Sequence, residues 1–155
     1  MKSFLQRQSA LLIIIFLLIA AISLGLFLSY RQNAPKYPFQ NYTVAEIESI
    51  AIEYISVMKS YKGTLSAEEI NSILPLLQDI TVYQKAQKEL YDYNGGYELV
   101  VQITTLEKET TELRLFRLSK DLRLYINDIL YRSDTAPKTA LHDRLLDIVQ
   151  AHADP

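Results

Sequence analysis

Residues 91–133 read YDYNGGYELVVQITTLEKETTELRLFRLSKDLRLYINDILYRS, and this stretch decides the fold. Apolar and polar residues alternate through it, as is typical of half-buried strands. The alternation is interrupted by a charged turn at Glu107–Glu109 and by Asn127-Asp128, a pair that tolerates positive φ in a two-residue turn. The residues expected on one face are Tyr97, Leu99, Val101, Ile103, Leu113, Leu115, Leu122, Leu124 and Ile126. The stretch predicts an antiparallel β-meander.

Two amphipathic helices are predicted, one before the meander and one after it. The first begins at the N-cap Ser66, with Glu69 completing a capping box, and Pro75 is expected to kink or end it. The second has Pro137 in its first turn and can cover the sheet. Their apolar faces consist of Ile70, Ile73, Leu74 and Leu77, and of Leu141, Leu145, Ile148 and Val149. The order of elements predicts an α+β fold, with a mostly antiparallel sheet covered by a central and a C-terminal helix.

The segment VAEIESIAIEYISVMKSYKG, residues 44–63, fits two structures. Its apolar residues fall on one side of a helical wheel, and Thr43 with Glu46 would form a capping box, which favours a helix. Its β-branched content, with Ile50, Ile52 and Tyr54 on one face, favours a strand. The residue pattern alone leaves both open.

Residues 10–29, ALLIIIFLLIAAISLGLFLS, carry no charge. As a helix, Ala10–Leu28 would be about 28 Å long, close to the roughly 30 Å of a bilayer's hydrocarbon core. A cleaved signal peptide has a shorter apolar region, of about 7–15 residues. We therefore expect an uncleaved transmembrane signal anchor, with a cleaved signal as the alternative.

The charges flanking this segment give only a small bias in orientation. Lys2 and Arg7 precede it, and Arg31 and Lys36 follow it, so the positive-inside count is nearly balanced. The shortness of residues 1–9 favours a cytoplasmic N-terminus. The remaining chain would then lie outside the cytoplasm, on a single-pass protein of the cell membrane.

The chain after the apolar segment is expected to form one domain. Residues 30–42 contain two prolines and several turn formers and are predicted to be a linker. Residues 43–155 have the length of one ordinary domain with a single core.

Composition excludes several kinds of function. The whole chain has 16 basic and 18 acidic residues, and two of the basic ones precede the apolar segment, so the domain is mildly acidic. It lacks the basic stripe that nucleic-acid binding requires, and we expect no nucleic-acid partner. The absence of cysteine excludes disulfides, thiolate metal sites and a lipidated N-terminal cysteine.

Four stretches together carry a resemblance to a known kind of domain. IESIAIEY, LSAEEINSILPLL, the strand region and LYINDILYRS resemble small extracytoplasmic domains of unknown function that follow a signal or anchor in Gram-positive bacteria. In those domains, a first strand of the form I-x-x-I-x-I precedes a helix that opens with acidic residues. The resemblance covers about Thr43 to Ser133 and implies a strand at residues 48–57. It implies no catalytic residues.

One stretch offers candidate binding residues. In YDYNGGY the rings of Tyr91, Tyr93 and Tyr97 surround a turn that includes Asn94, and could stack on a sugar or pack on a peptide. A hairpin entry whose tyrosines rest on the sheet explains the same pattern and is the commoner case. No helix or Lys-Ser/Thr pair follows the two glycines, as a phosphate loop would require.

Candidate catalytic residues do not form a recognisable motif. His142 borders the apolar face of the last helix beside Asp143, but no nucleophile motif accompanies them, and no third ligand completes a metal site with His152. Acidic pairs such as Asp143 and Asp147 lie where solvated carboxylates are common. We therefore predict no catalytic residues, no metal and no cofactor.

These observations predict a membrane-anchored extracytoplasmic domain that acts without catalysis, through contacts with a protein or the cell envelope at the outer face of the membrane. Exposed edge strands of the meander would be the docking site. A secreted binding or inhibitor protein, released by signal cleavage, is the alternative. A small envelope hydrolase using His142 or a carboxylate pair is a third hypothesis.

Overall fold

The computed structural model describes residues 2–85 and 96–153. The chain separates into two compact units, one ending at Ala34 and one beginning at Pro35. The first unit is helix α1, Lys2–Asn33. Within α1, Ile13–Arg31 has a mean hydropathy of 2.6 with none of it buried, and is long and apolar enough to span a membrane.

The second unit is an α+β domain, which confirms the predicted fold class. Within residues 35–85 and 96–153, its strands form one seven-stranded antiparallel sheet in the order β2-β1-β4-β5-β6-β7-β3. The strands are β1 (Ile47–Ser56), β2 (Ser60–Thr64), β3 (Val82–Lys85), β4 (Tyr97–Thr105), β5 (Thr110–Leu118), β6 (Asp121–Ile126) and β7 (Ile129–Ser133). The helices are α2 (Ala67–Gln78) and α3 (Thr135–Ala153).

The meander is β4 to β7, as its alternating pattern predicts. Asn127 and Asp128 connect β6 to β7 with φ angles of 48° and 64°. Positive φ at both positions matches the type I′ turn, whose twist suits the flanking strands. The meander supplies no edge strand, however, because β1 pairs with β4 and β3 pairs with β7. Within the described residues the edges of the sheet are β2 and β3, so the expectation of docking edges in the meander is wrong.

The ambiguous segment forms strands, and a β-bulge explains why its sequence also fits a helix. The pairing register of β1 with β4 shifts between Ile47 and Ser49, so Glu48 is an extra residue in β1 with no partner in β4. The bulge places Ile47 and Ile50, three residues apart, on the same buried face. Glu46 does accept hydrogen bonds from the backbone and hydroxyl of Thr43, as a capping box would, but in a turn rather than a helix.

Both helices cover the same face of the sheet. Helix α2 has the predicted capping box of Ser66 and Glu69, and it continues through Pro75 to Gln78, one turn further than expected. The predicted apolar face of α3 is buried. The core between sheet and helices includes Ile50, Ile52, Ile73, Leu77, Leu99, Val101, Ile103, Leu113, Leu115, Leu124, Leu141 and Leu145.

The domain begins earlier than Thr43. Phe39 is fully buried in the core, and the Tyr42 hydroxyl lies 2.8 Å from that of Thr111. Lys36 and Val82 exchange backbone hydrogen bonds of 2.8 and 2.9 Å. Much of the segment 30–42, for which the proline content indicates a linker, is therefore packed against the domain.

The opposite face of the sheet carries a charge cluster around Arg114. Its guanidinium contacts Glu112 at 2.5 Å and Asp128, and lies 4.0 Å from Oε1 of Glu98. That Glu98 oxygen is buried and has no hydrogen-bond partner among the described residues. Burial raises the pKa of Glu98, and the nearby Arg114 only partly opposes this.

The raised pKa predicts that Glu98→Gln stabilises the domain at neutral pH. Folding disfavours the ionised carboxylate of Glu98, so this group lowers the free energy of unfolding at every pH above its pKa in the folded domain. The loss disappears below its pKa in the unfolded chain, near 4.5. The gain at pH 7 should be roughly 1 kcal/mol, because a neutral amide costs less to bury than an ionised carboxylate. Urea unfolding at pH 7 and pH 4 measures it. An equal effect at both pH values would contradict the argument.

Candidate functional site

Of the four candidate binding residues, only Tyr97 lies among the described residues. Tyr91, Tyr93 and Asn94 fall in 86–95, outside them. Tyr97 is the first residue of β4 and is half-buried. Its ring lies 5.4 Å from that of Tyr54 on β1 and 5.6 Å from that of His142 on α3, measured between centroids. Tyr97 therefore rests against the helix-covered face, as the commoner explanation expects.

A hydrogen-bonded chain joins β4 to α3 through His142. The imidazole is 2% exposed, with Nδ1 2.7 Å from Oδ1 of Asp143 and Nε2 2.8 Å from the Tyr97 hydroxyl. The carboxylate can only accept, so we assign a hydrogen to Nδ1, and in the tautomer with that single hydrogen Nε2 accepts from the Tyr97 hydroxyl. Both ring nitrogens are thus satisfied, which makes burial of this histidine inexpensive.

The electrostatics of this chain do not favour nucleophilic catalysis. Burial raises the pKa of Tyr97, Arg117 opposes this, and Tyr54 and Asp143 add to it. The hydroxyl therefore stays protonated at neutral pH, whereas a nucleophile needs a lowered pKa or a base that frees it. Asp147, four residues beyond Asp143, is exposed on the outer side of α3.

Three further acidic residues outside this hydrogen-bonded chain have local structural contacts. Glu46 bonds Thr43, Glu69 closes the α2 capping box, and Glu48 pairs with Lys108. Across the ranges 2–85 and 96–153, no group of three histidine, aspartate or glutamate residues is placed to hold a metal ion.

A cleft of about 560 Å³ lies between the β1–β2 hairpin and α3. Tyr54 and Tyr61 stand directly opposite each other on the two strands. The remaining lining residues are Lys59, Ser60, Leu146, Val149 and Gln150. An apolar floor with aromatic and polar groups at its margin is typical of recognition sites. We call this the hairpin cleft.

Gly63 and His152 fix the position of the Tyr61 ring. A Cβ at position 63 would lie 2.2 Å from the Tyr61 hydroxyl oxygen, so any larger residue there would require the ring to shift from this position. On the other side the His152 ring stacks on Tyr61, at 6.0 Å and 23°. Nε2 of His152 lies 2.7 Å from Glu69 on α2. This contact ties the end of α3 to α2 beside the cleft.

Glu69 is held in its ionised form. Burial by itself would raise its pKa, but hydrogen bonds from the backbone and hydroxyl of Ser66 and from His152 outweigh burial and lower the pKa. Because the pKa of Glu69 is lower in the folded domain than in the unfolded chain, its ionised carboxylate stabilises the domain at any pH above the pKa of the unfolded chain. This contribution is lost as the pH falls through the pKa of the folded domain. The wall of the hairpin cleft is therefore weakened in acid.

Strand β2 presents a free backbone edge next to this cleft. Leu65 N donates to Ile50 O, and Ser56 N donates to Lys59 O, at the two ends of the β1–β2 ladder. Alternation in an antiparallel ladder then directs the N–H and C=O groups of Ser60, Lys62 and Thr64 away from β1. Among the described residues, β1 is the only strand that pairs with β2.

Sequence reasoning did not find the hairpin cleft. Tyr54 and Tyr61 are seven residues apart, which places them on one side of a helix, and their pairing emerges only when the segment forms a hairpin. The signal that was available is the segment Ser56–Ser60, where two serines and a lysine interrupt two β-rich runs, which is compatible with a hairpin turn.

No protein family, curated protein or solved structure matches the chain. The resemblance to Gram-positive extracytoplasmic domains stays a prediction.

Removal of the Tyr97 hydroxyl should destabilise the domain. Tyr97→Phe leaves Nε2 of the buried His142 without its partner, which should cost about 1–2 kcal/mol. Tyr83→Phe is the matched control, because that hydroxyl bonds Asp134 at an exposed position, and its loss should change stability by less than about 0.5 kcal/mol. Denaturant unfolding measures both. Equal effects would show that the chain through His142 contributes nothing specific.

Proposed function

We propose that the chain is a single-pass membrane protein whose domain lies outside the cytoplasm and binds a protein partner without catalysis. The membrane part of this proposal is supported by the apolar stretch in α1, Ile13–Arg31. A signal sequence satisfies the same criteria of length and composition, so retention of the stretch is the distinguishing property.

Labelling of single cysteines tests the topology, because the chain has no cysteine of its own. Lys108→Cys, at an exposed side chain, should react with a membrane-impermeant maleimide on intact cells. Ser3→Cys should react only after permeabilisation. The reverse pattern would overturn the orientation.

The mass of the native polypeptide tests retention of the anchor. An anchored protein keeps residues 1–30 and is found in the membrane fraction. A shortened protein in the medium would instead establish the secreted alternative.

The observation that carries the binding function is the free β2 edge beside the hairpin cleft. An extended segment can add to such an edge through backbone hydrogen bonds, while a neighbouring pocket accepts a side chain. Lys59 and Lys62 lie along this edge, and the Lys62 side chain is 71% exposed. Lysines on an edge disfavour pairing with a second copy of the same strand, because like charges would stand opposite each other. The edge therefore fits an extended segment of a partner that carries acidic side chains.

Tethering would make a weak contact of this kind sufficient. A domain attached to a membrane meets other membrane proteins at a raised effective concentration, which increases occupancy without additional contacts. The strand edge and the tyrosine-lined cleft are then enough surface for specific binding, and no reacting group is needed.

Site-specific photo-crosslinking in intact cells tests the binding edge. A photoreactive residue at position 62 should yield an adduct with a different protein, whereas the same residue at position 108 should not. The two positions are matched, because Lys62 and Lys108 have equal side-chain exposure, 71%, and each pairs with a glutamate exposed by 37%.

Two results would contradict this function. One is an adduct of position 62 with the protein itself alone, and the other is an identical set of adducts from both positions. A second variant tests the charge of the partner. The photoreactive residue is placed at position 60, and Lys62→Glu is added to the same chain. This change should reduce the yield of the adduct, because an acidic partner would be repelled.

A further inference from the structure

One rim of the sheet contains both the start of the domain and the β1–β2 turn. In the antiparallel ladder of β6 and β7, Tyr131 pairs with Leu124. Ser133 comes two residues after Tyr131 and therefore lies opposite Leu122. The remaining pairs along this row are Lys36 with Val82, Val82 with Ser133, Leu122 with Arg117, Arg117 with Tyr97, and Tyr97 with Ser56. Twist curves the row as it crosses the sheet. We call this row the tether rim.

The β1–β2 turn extends beyond the tether rim and is apolar. Val57 is 83% exposed and Met58 is 94% exposed, the two highest values among the exposed large hydrophobic side chains of the described chain. Lys59 follows them directly. At the end of another strand pair on the same rim, the β5–β6 turn contains Lys120. We call Val57 and Met58 the hairpin tip.

The chain limits how far the Lys36 end of the tether rim can be from a membrane. Residues 30–34 separate the uncharged segment, which ends at Ser29, from Pro35, where the domain begins. Five residues reach at most about 18 Å. Lys36 is already paired with Val82, so no further slack follows.

We infer that the hairpin tip contacts the lipid surface and is a second membrane-binding element of the domain. Val57 and Met58 would enter the interface, where exposed apolar side chains gain by leaving water. Lys59 and Lys120 can keep their ammonium groups at the level of anionic headgroups. Asp121 beside Lys120 is already paired with Arg123. The inference depends on the membrane anchoring proposed above, but not on the protein partner.

The opposite rim of the sheet has the wrong chemistry for the same contact. Its β4–β5 turn carries Leu106, 62% exposed, between Thr105 and the carboxylates of Glu107 and Glu109. Carboxylates next to the apolar side chain are repelled by anionic lipid and costly to move out of water. Lys108 in the β4–β5 turn is flanked by these two glutamates and pairs with Glu48, whereas the hairpin tip is followed by Lys59 and has no carboxylate beside it in the sequence.

Single tryptophans can test this contact, because the chain contains no tryptophan. The full chain carrying Met58→Trp is reconstituted into phosphatidylcholine vesicles with and without phosphatidylglycerol. The emission of Trp at position 58 should shift to the blue and be quenched when the lipids carry bromine on their acyl chains. Leu106→Trp, the matched control at an exposed turn of the opposite rim, should keep a solvent-like emission without quenching.

Three results decide the inference. Unquenched, solvent-like emission from both positions would overturn it, as would equal quenching at both. Shielding at position 58 only after a second protein is added would assign the tip to a protein instead.

Lys59→Glu in the Met58→Trp chain should reduce the quenching in vesicles with phosphatidylglycerol more than in those without. Reconstitution anchors the chain directly, so these results do not depend on its orientation in cells.

Discussion

The antiparallel pairing of β1 with β4 is the constraint on which the rest of the domain depends. It attaches the β1–β2 hairpin to the meander and makes one sheet of seven strands. A slip of one residue would turn Ile50, Ile52 and Tyr54 away from the core. The bulge at Glu48 adjusts the register so that Ile47 also faces inward. Burial of this isoleucine face against the helices therefore determines where the hairpin lies.

The same pairing assembles the candidate site. Tyr54 and Tyr97 become neighbours because β1 and β4 are adjacent, and α3 then crosses close to both. His142 links Tyr97 to Asp143, while His152 links Tyr61 to Glu69. Each histidine connects α3 to a different element, so the helix is held on both sides of the hairpin cleft. These contacts stabilise the walls of the hairpin cleft, which we propose as a binding surface.

The two rims of the sheet differ in chemistry, and this difference supports the proposed contact with a lipid surface. The tether rim begins at Lys36 and ends at the apolar hairpin tip, whereas the other rim is rich in carboxylates around Leu106. A lipid surface at the tether rim would leave the acidic rim in solution. The free edge of β2 runs from one rim toward the other, so an incoming strand would remain accessible from outside the membrane.

The sequence by itself determined the elements whose signals are local: the apolar helix, the alternating strands of the meander, the Asn127-Asp128 turn, the capping box at Ser66 and the buried face of α3. Those signals depend on neighbours within a few residues. Only the tertiary structure decided the rest. The helix-like spacing of Ile47 and Ile50 arises from a bulge, and Phe39 is buried despite its proline-rich surroundings. The hairpin cleft and the tether rim join residues far apart in the chain, and strand order depends on such long-range burial, which no local pattern records.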